Sequence, residues 1–218
     1  MQLEPVVWDR RTPWRCRDRL EPAAQQLLAR CVTLLEQSYA TTAGEDWRWF
    51  EDALRYDNAR LSQALILGGV ALDRPEATAT GLASLAWLGD ECGLASGMLR
   101  LPGHGGRRRG DAGPGVGDEQ PLDASALVEA ELSAFSVTGD VTHGVRARLA
   151  FEWFLGRNRL GRPLYDFATG GCRDGLGQED VNGNEGAEST LAFHRAQLVL
   201  DAAGLPRVVR ARATPVVT

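Results

Sequence analysis

Helical apolar spacing recurs in six stretches of this chain, and the connections between them alternate between long and short. That alternation constrains the fold more than any single motif. The first stretch runs from Glu21 to Tyr39, with Leu20, Ala24, Leu27, Leu28, Cys31, Leu34 and Leu35 at helical intervals and Pro22 in the first turn. The second, Asn58–Leu72, is apolar nearly all round, which predicts burial on most faces. The others span about Pro75 to Asp90, Leu122 to Thr138, Val141 to Phe154 and Gly186 to Ala203. Asp73-Arg74 and Gly139-Asp140 are tight links, with glycine at a helix C-terminus in the latter. In antiparallel helices stacked in pairs, every second connection falls at the same end. The three long loops, 40–57, 93–121 and 155–185, are therefore expected to gather at one rim. Long links of this kind are usually functional or disordered. The fold class that follows is all-α, built of antiparallel helical hairpins. An irregular arm at 1–19, with Trp8 and Trp14, and a flexible basic tail at 204–218 flank a helical domain at 20–203.

Composition narrows the chemistry. The net charge is −5, so no basic footprint argues for nucleic acid. The chain has no lysine, which excludes a lysine Schiff base and a P-loop lysine. Its four cysteines, Cys16, Cys31, Cys92 and Cys172, are scattered, with neither zinc spacing nor a dense disulfide framework. No apolar run reaches membrane-spanning length and the first residues are charged rather than signal-like, so a soluble cytoplasmic protein is the expectation.

The rim is where polar residues crowd. Gly170–Ser189 reads GGCRDGLGQEDVNGNEGAES, with Asp174, Glu179, Asp180 and Glu185 among glycines and Glu188 close behind. Clustered carboxylates repel and glycine gives up backbone entropy, so such a stretch is costly unless it builds something. The first loop contributes Trp47, Trp49, Asp57 and Asn58; the second, Glu119 and Gln120; the third, Tyr165, Arg173, Asn182 and Asn184. Rings that stack on a pyranose, with carboxylates and amides for its hydroxyls, are what a sugar site uses. A pair of acids can also do general acid and base work on a glycosidic bond. The catalytic candidates are Asp57, Asp174 and Glu185, then Glu119 and Glu188. Trp47, Trp49 and Tyr165 would stack on the ligand, and Asn58, Gln120, Arg173, Asn182 and Asn184 would hold it.

Each also has a plainer reading. The tryptophans could only fill the core. Asp57 or Asn58 could cap the second helix, and Glu188 the sixth. Arg173 and Asp174 could form an internal ion pair. Arg107 to Arg109 read as a solvated, mobile run. His104, His143 and His194 are isolated. The acidic loop lacks the order of a calcium hand, and neither a metal nor a cofactor is expected.

Three segments together resemble a known family: WRWFEDALRYDNARLSQALILGG, GDEQPLDASALVEAELSAFSVTGD and FEWFLGRNRLGRPLYDFATGGCRDGLGQEDVNGNEGAESTLAFH. They are similar to an all-helical domain of bacterial glycan-related proteins that often follows a mannosyltransferase-like glycosyltransferase domain. That domain looks like the (α/α) toroid shared by six-hairpin glycosidases and the N-acylglucosamine 2-epimerase group. The likeness runs from about Asp46 to Leu200 and covers only the C-terminal half of such a ring. It implies a half-toroid completed by a second copy, a homodimer, or by another protein such as a glycosyltransferase partner. It also implies a sugar or glycan ligand. No strand run or nucleotide-sugar motif of a glycosyltransferase accompanies it. Three functions stay open: a carbohydrate-active enzyme, hydrolase-like or epimerase-like; a non-catalytic glycan-binding or scaffold subunit; and another enzyme class using the same pocket.

Overall fold

The computed structural model describes residues 21–113 and 115–205. The arm, the basic tail beyond Leu205 and Cys16 lie outside the described residues. Among the described residues there are six α-helices: α1 Pro22–Thr42, α2 Ala59–Leu72, α3 Pro75–Glu91, α4 Pro121–Thr138, α5 Val141–Glu152 and α6 Ala187–Ala202. One turn of 3-10 helix stands at Leu94–Ser96.

The local reasons are in the sequence. Pro22, Pro75 and Pro121 each occupy a first-turn position, where a missing N–H costs nothing. Gly139 ends α4 at φ 73°, and its N–H returns to the Phe135 carbonyl at 2.8 Å. Asp140 then caps α5, its side chain accepting from the Thr142 amide at 2.9 Å. A two-residue link of this kind leaves α4 and α5 antiparallel.

Helices α2, α4 and α6 form one row, α4 packed between the other two; α3 covers α2 and α5 covers α4. The bonds Asn58–Asp123 and Gln63–Ser133 advance in the same sense along α2 and α4, so these helices run parallel. The spacing predicts burial of the second helix on most faces. Helix α2 has buried residues from Ala59 to Gly69, and α4 is more enclosed still, because α4 has a row neighbour on both sides and α2 on only one. Glu129, inside α4, is paired: it accepts from both guanidinium nitrogens of Arg60 at 2.9 Å and from Arg195 at 2.7 Å. Burial raises the pKa of Glu131 against the pull of His143, which lies 2.6 Å away.

Where α3 lies on α2, the backbones nearly touch. A Cβ on Gly81 would stand 2.8 Å from the Ile66 nitrogen and 2.9 Å from the Ser62 carbonyl oxygen. Ser62 and Ser84 exchange a buried hydrogen bond at 2.9 Å beside it. Gly81→Ala is expected to cost about 1–3 kcal/mol through overpacking, read as a lower urea midpoint with unchanged m-value. An unchanged midpoint would mean that the two helices can part there at no cost.

The long loops do meet. In loops one and two, β1 (Ala53–Leu54) pairs antiparallel with β2 (Arg107–Arg108). In loops two and three, Glu119 and Leu176 exchange backbone bonds at 3.0 and 2.9 Å. Further bridges, Gly106 with Val116, Tyr165 with Cys172 and Leu176 with Val181, knit each loop internally. These short ladders went unforeseen, since segments of one or two residues carry no alternation to read. The arginine run is also more ordered than expected. Arg107 pairs with Glu91 and lies over the Trp47 ring at 5.6 Å, and Arg109 donates to the Thr42 carbonyl at 3.0 Å.

Candidate functional site

Gathering the loops does not turn every rim residue toward solvent. Trp47 and Trp49 are 3% and 0% exposed, in an aromatic cluster with Phe50 and Trp87. Trp47 Nε1 donates to the Glu51 carbonyl at 2.6 Å. Their faces are occupied, so neither ring is open to stack on a ligand. The core wins because a Trp-x-Trp segment beside buried Ala53 and Leu54 places its large apolar area against α3. Tyr165 lies 4.0 Å from Phe193, ring on ring, with Phe167 at its edge.

Three of the candidate carboxylates are engaged by protein groups. Glu119 is buried and accepts from the Leu101 amide at 3.1 Å, Trp153 Nε1 at 3.0 Å and Arg159 Nε at 2.9 Å. It braces the second loop against the third. Asp174 accepts from the Gly186 amide and the Ser189 hydroxyl, both at 2.7 Å, and from Asn184 Nδ2. Burial is the largest single influence on its pKa and acts upward. The bonds from Ser189, Asn184 and Gly186 together outweigh it and hold the carboxyl below its ordinary value. Asp174 thus serves as the cap of α6 from twelve residues upstream of Gly186. Glu185 accepts from Thr169 Oγ1 at 2.9 Å and pairs with Arg173 at 3.2 Å. Arg173 takes Asp166 as its other acidic partner, at 2.8 Å, and not Asp174, and it also donates to the Gly183 carbonyl at 2.7 Å. Gly171 lies against the Glu185 carboxylate, where a Cβ would collide. Asn182 closes a turn by accepting from the Asn184 amide at 3.0 Å.

A different subset comes together where α2, α4 and α6 begin. The Tyr56 hydroxyl donates to Glu188 at 3.2 Å, joining the start of α2 to the start of α6. Asn58 Nδ2 reaches Asp123, in the first turn of α4, at 3.5 Å, and Asn58 Oδ1 accepts from the Arg55 amide at 2.9 Å. Asn58 holds the N-cap position of α2 without making a side-chain cap bond. Gln120 holds the same position in α4, also without one. Asp57 has φ 52°, a backbone conformation that non-glycine residues adopt at a cost. Its carboxylate lies 3.3 Å from Arg60, and burial lifts its pKa against the opposing pull of that arginine. Burial pushes the Asp123 carboxyl up to about 7. Tyr56 is raised as well, by burial and then by Glu188, Asp123 and Asp57. A cavity of about 10 Å³, room for one water, lies between Asn58, Asp123, Cys92 and Leu101.

Asp57, Asn58 and Glu188 were legible as rim residues; Asp123 was missed. An acid in a helix first turn reads as ordinary macrodipole chemistry. Its signal was the loop alternation itself: if three helices start at one rim, their first turns are neighbours. Cys92 and Cys172 are buried free thiols raised by that burial, Cys172 to about 12, so neither is a ready nucleophile. Among the described residues no cluster of His, Cys, Asp and Glu is arranged for a metal, and no helix is long and apolar enough to cross a membrane.

The fold and site together define an all-helical protein with an acid-rich rim at the common start of three helices. Compared with protein-family models, curated proteins and solved structures, the chain has no match in any of the three.

Proposed function

We propose that this protein is carbohydrate-active, that its fold is half of an (α/α) toroid, and that it takes a sugar or glycan at the starts of α2, α4 and α6. The observation that carries the reading is the group formed by Tyr56, Asp57, Asp123 and Glu188. It sets a carboxyl that keeps its proton near neutral pH beside more exposed acids and a phenol. Pairs of acids whose environments push their pKa values apart are what glycosidic proton transfer employs. Asp123 is the candidate acid, and Asp57 and Glu188 are the candidate bases. Asn58 and Gln120 would hold hydroxyls. A cytoplasmic setting suits the free thiols Cys31, Cys92 and Cys172.

A second reading, a glycan-binding or scaffold subunit that breaks no bond, is favoured by the small size of the cavity beside Asp123. One experiment separates the two. The wild type, Asp57→Asn, Asp123→Asn and Glu188→Gln are titrated with manno- and gluco-oligosaccharides by calorimetry, and products are followed by mass spectrometry. Asp180→Asn, an exposed rim acid paired with Arg162, is the control. Binding weakened about tenfold or more in the three variants and unchanged in the control is expected. Product formation by the wild type selects the enzyme reading, and binding without products the subunit reading. Equal binding by all five proteins, or by none, removes the assignment.

A further inference from the structure

Two helices of the inner row are each covered by the helix that follows: α2 by α3 and α4 by α5, each pair through a two-residue link. Among the described residues no helix follows α6. Its uncovered face carries Leu191, Arg195 and Leu198 at heptad intervals, with the leucines 68% and 69% exposed. At the other end of the molecule α1 precedes the row and, among the described helices, packs mainly on α2 and the edge of α3; Val32 is its single fully buried residue. Its free face carries Leu27 and Leu34, both 62% exposed. Among the described residues, one chain thus presents an inner helix without its cover and a covering helix without a full partner. Exposed apolar stripes of this kind mark association.

We propose that a second copy of this chain supplies the cover: α1 of each copy packs antiparallel on α6 of the other, giving a two-fold dimer with two identical seams. Charge and register fit this occupant. Arg30 lies twelve residues from the rim end of α1 at Thr42, and Asp201 fourteen from the rim start of α6 at Ala187. At 1.5 Å per residue these depths are about 18 and 21 Å, within one helical turn of each other. Both residues are exposed, and among the described residues neither side chain has a partner. Each flanks its leucine stripe on the same side, the arrangement that brings side chains together across an antiparallel pair. Because α1 ends and α6 begins at the rim, an antiparallel seam sets the rims of both copies at one end of the dimer. The inference rests on helix packing and not on what the rim binds.

Sedimentation velocity of the full chain across a concentration range tests it without ligand. A species of twice the 23.6 kDa chain mass is expected. The double variant Leu191→Glu, Leu198→Glu is expected to be monomeric with an unchanged far-ultraviolet circular dichroism spectrum. Arg30→Glu and Asp201→Arg are each expected to weaken the dimer about tenfold, and the two combined to restore it. A monomer at every concentration overturns the proposal. So does a dimer indifferent to the leucine changes, or single charge reversals that the double variant fails to rescue. Oligosaccharide binding by a strictly monomeric chain would overturn the dimer and leave the rim assignment intact.

Discussion

Replacing Glu119 by alanine is expected to destabilise the protein by about 3–5 kcal/mol, the range for removing one partner of a buried charge pair. The carboxylate answers three donors from three places: the Leu101 amide, the Trp153 indole and the Arg159 guanidinium. Truncation leaves all three without their acceptor, and the buried amide and indole have no water to turn to. For a chain of this size the melting temperature should fall by roughly 2–4 °C per kcal/mol, measured by calorimetry at neutral pH. Glu119→Gln separates charge from shape, since its amide oxygen can still accept from Leu101 or Trp153 while the arginine loses its counter-charge. It should fall between the wild type and Glu119→Ala. A melting temperature within a degree or two of wild type in Glu119→Ala would show that the second and third loops are held by their backbone bridge to Leu176 alone.

Asp123 gives the opposite sign. Its native carboxyl titrates near pH 7 against an ordinary 3.8, with burial as the first cause. Between those values the native state binds more protons than the unfolded chain, so stability falls as pH rises through the window. At about 1.4 kcal/mol per pH unit of separation, the full penalty above pH 7 is on the order of 4 kcal/mol. Asp123→Asn removes that penalty and keeps a side-chain oxygen for the Asn58 amide to meet. The variant is expected to be more stable than wild type at pH 8, by up to that amount, with the gap closing toward pH 4. Urea unfolding at pH 4, 6 and 8 measures it. A constant gap at all three values would mean that this carboxyl does not keep its proton. If the same variant loses ligand, stability has been sacrificed for function at this position.

How far such residues could be read in advance depends on how local their chemistry is. The helices were legible because their causes lie within a few residues: Pro22, Pro75 and Pro121 at starts, Gly139 at a stop, and apolar spacing between. Their meeting at one rim was legible from loop lengths. The fifth helix was read two residues too long, since Trp153 and Phe154 leave the helix as the chain turns back. There the Phe154 carbonyl accepts from the amides of Leu164 and Tyr165 at 2.8 and 3.2 Å. The division of labour among the acids was not legible. Asp174 caps a helix far ahead of it, Glu119 answers donors from distant segments, and Arg60 and Arg195 converge on Glu129 from two other helices. Only packing shows which carboxylate is left for a ligand. The tryptophans went astray for the same reason: an indole looks alike in a sequence whether it meets a sugar or Trp87.

The two ends of the molecule differ in slack. Opposite the rim, α2 turns into α3 through Asp73 at φ 57° and Arg74, and α4 into α5 through Gly139 and Asp140, with no spare residue in either corner. A tag, probe or grafted domain placed there has to prise a helix pair apart. At the other end, residues 110–113 stand exposed, and Gly110 and Gly113 have open space where a side chain would go. Extra length can enter there without disturbing the stack, so new surface can be added at the loop end while the helices below stay as they are.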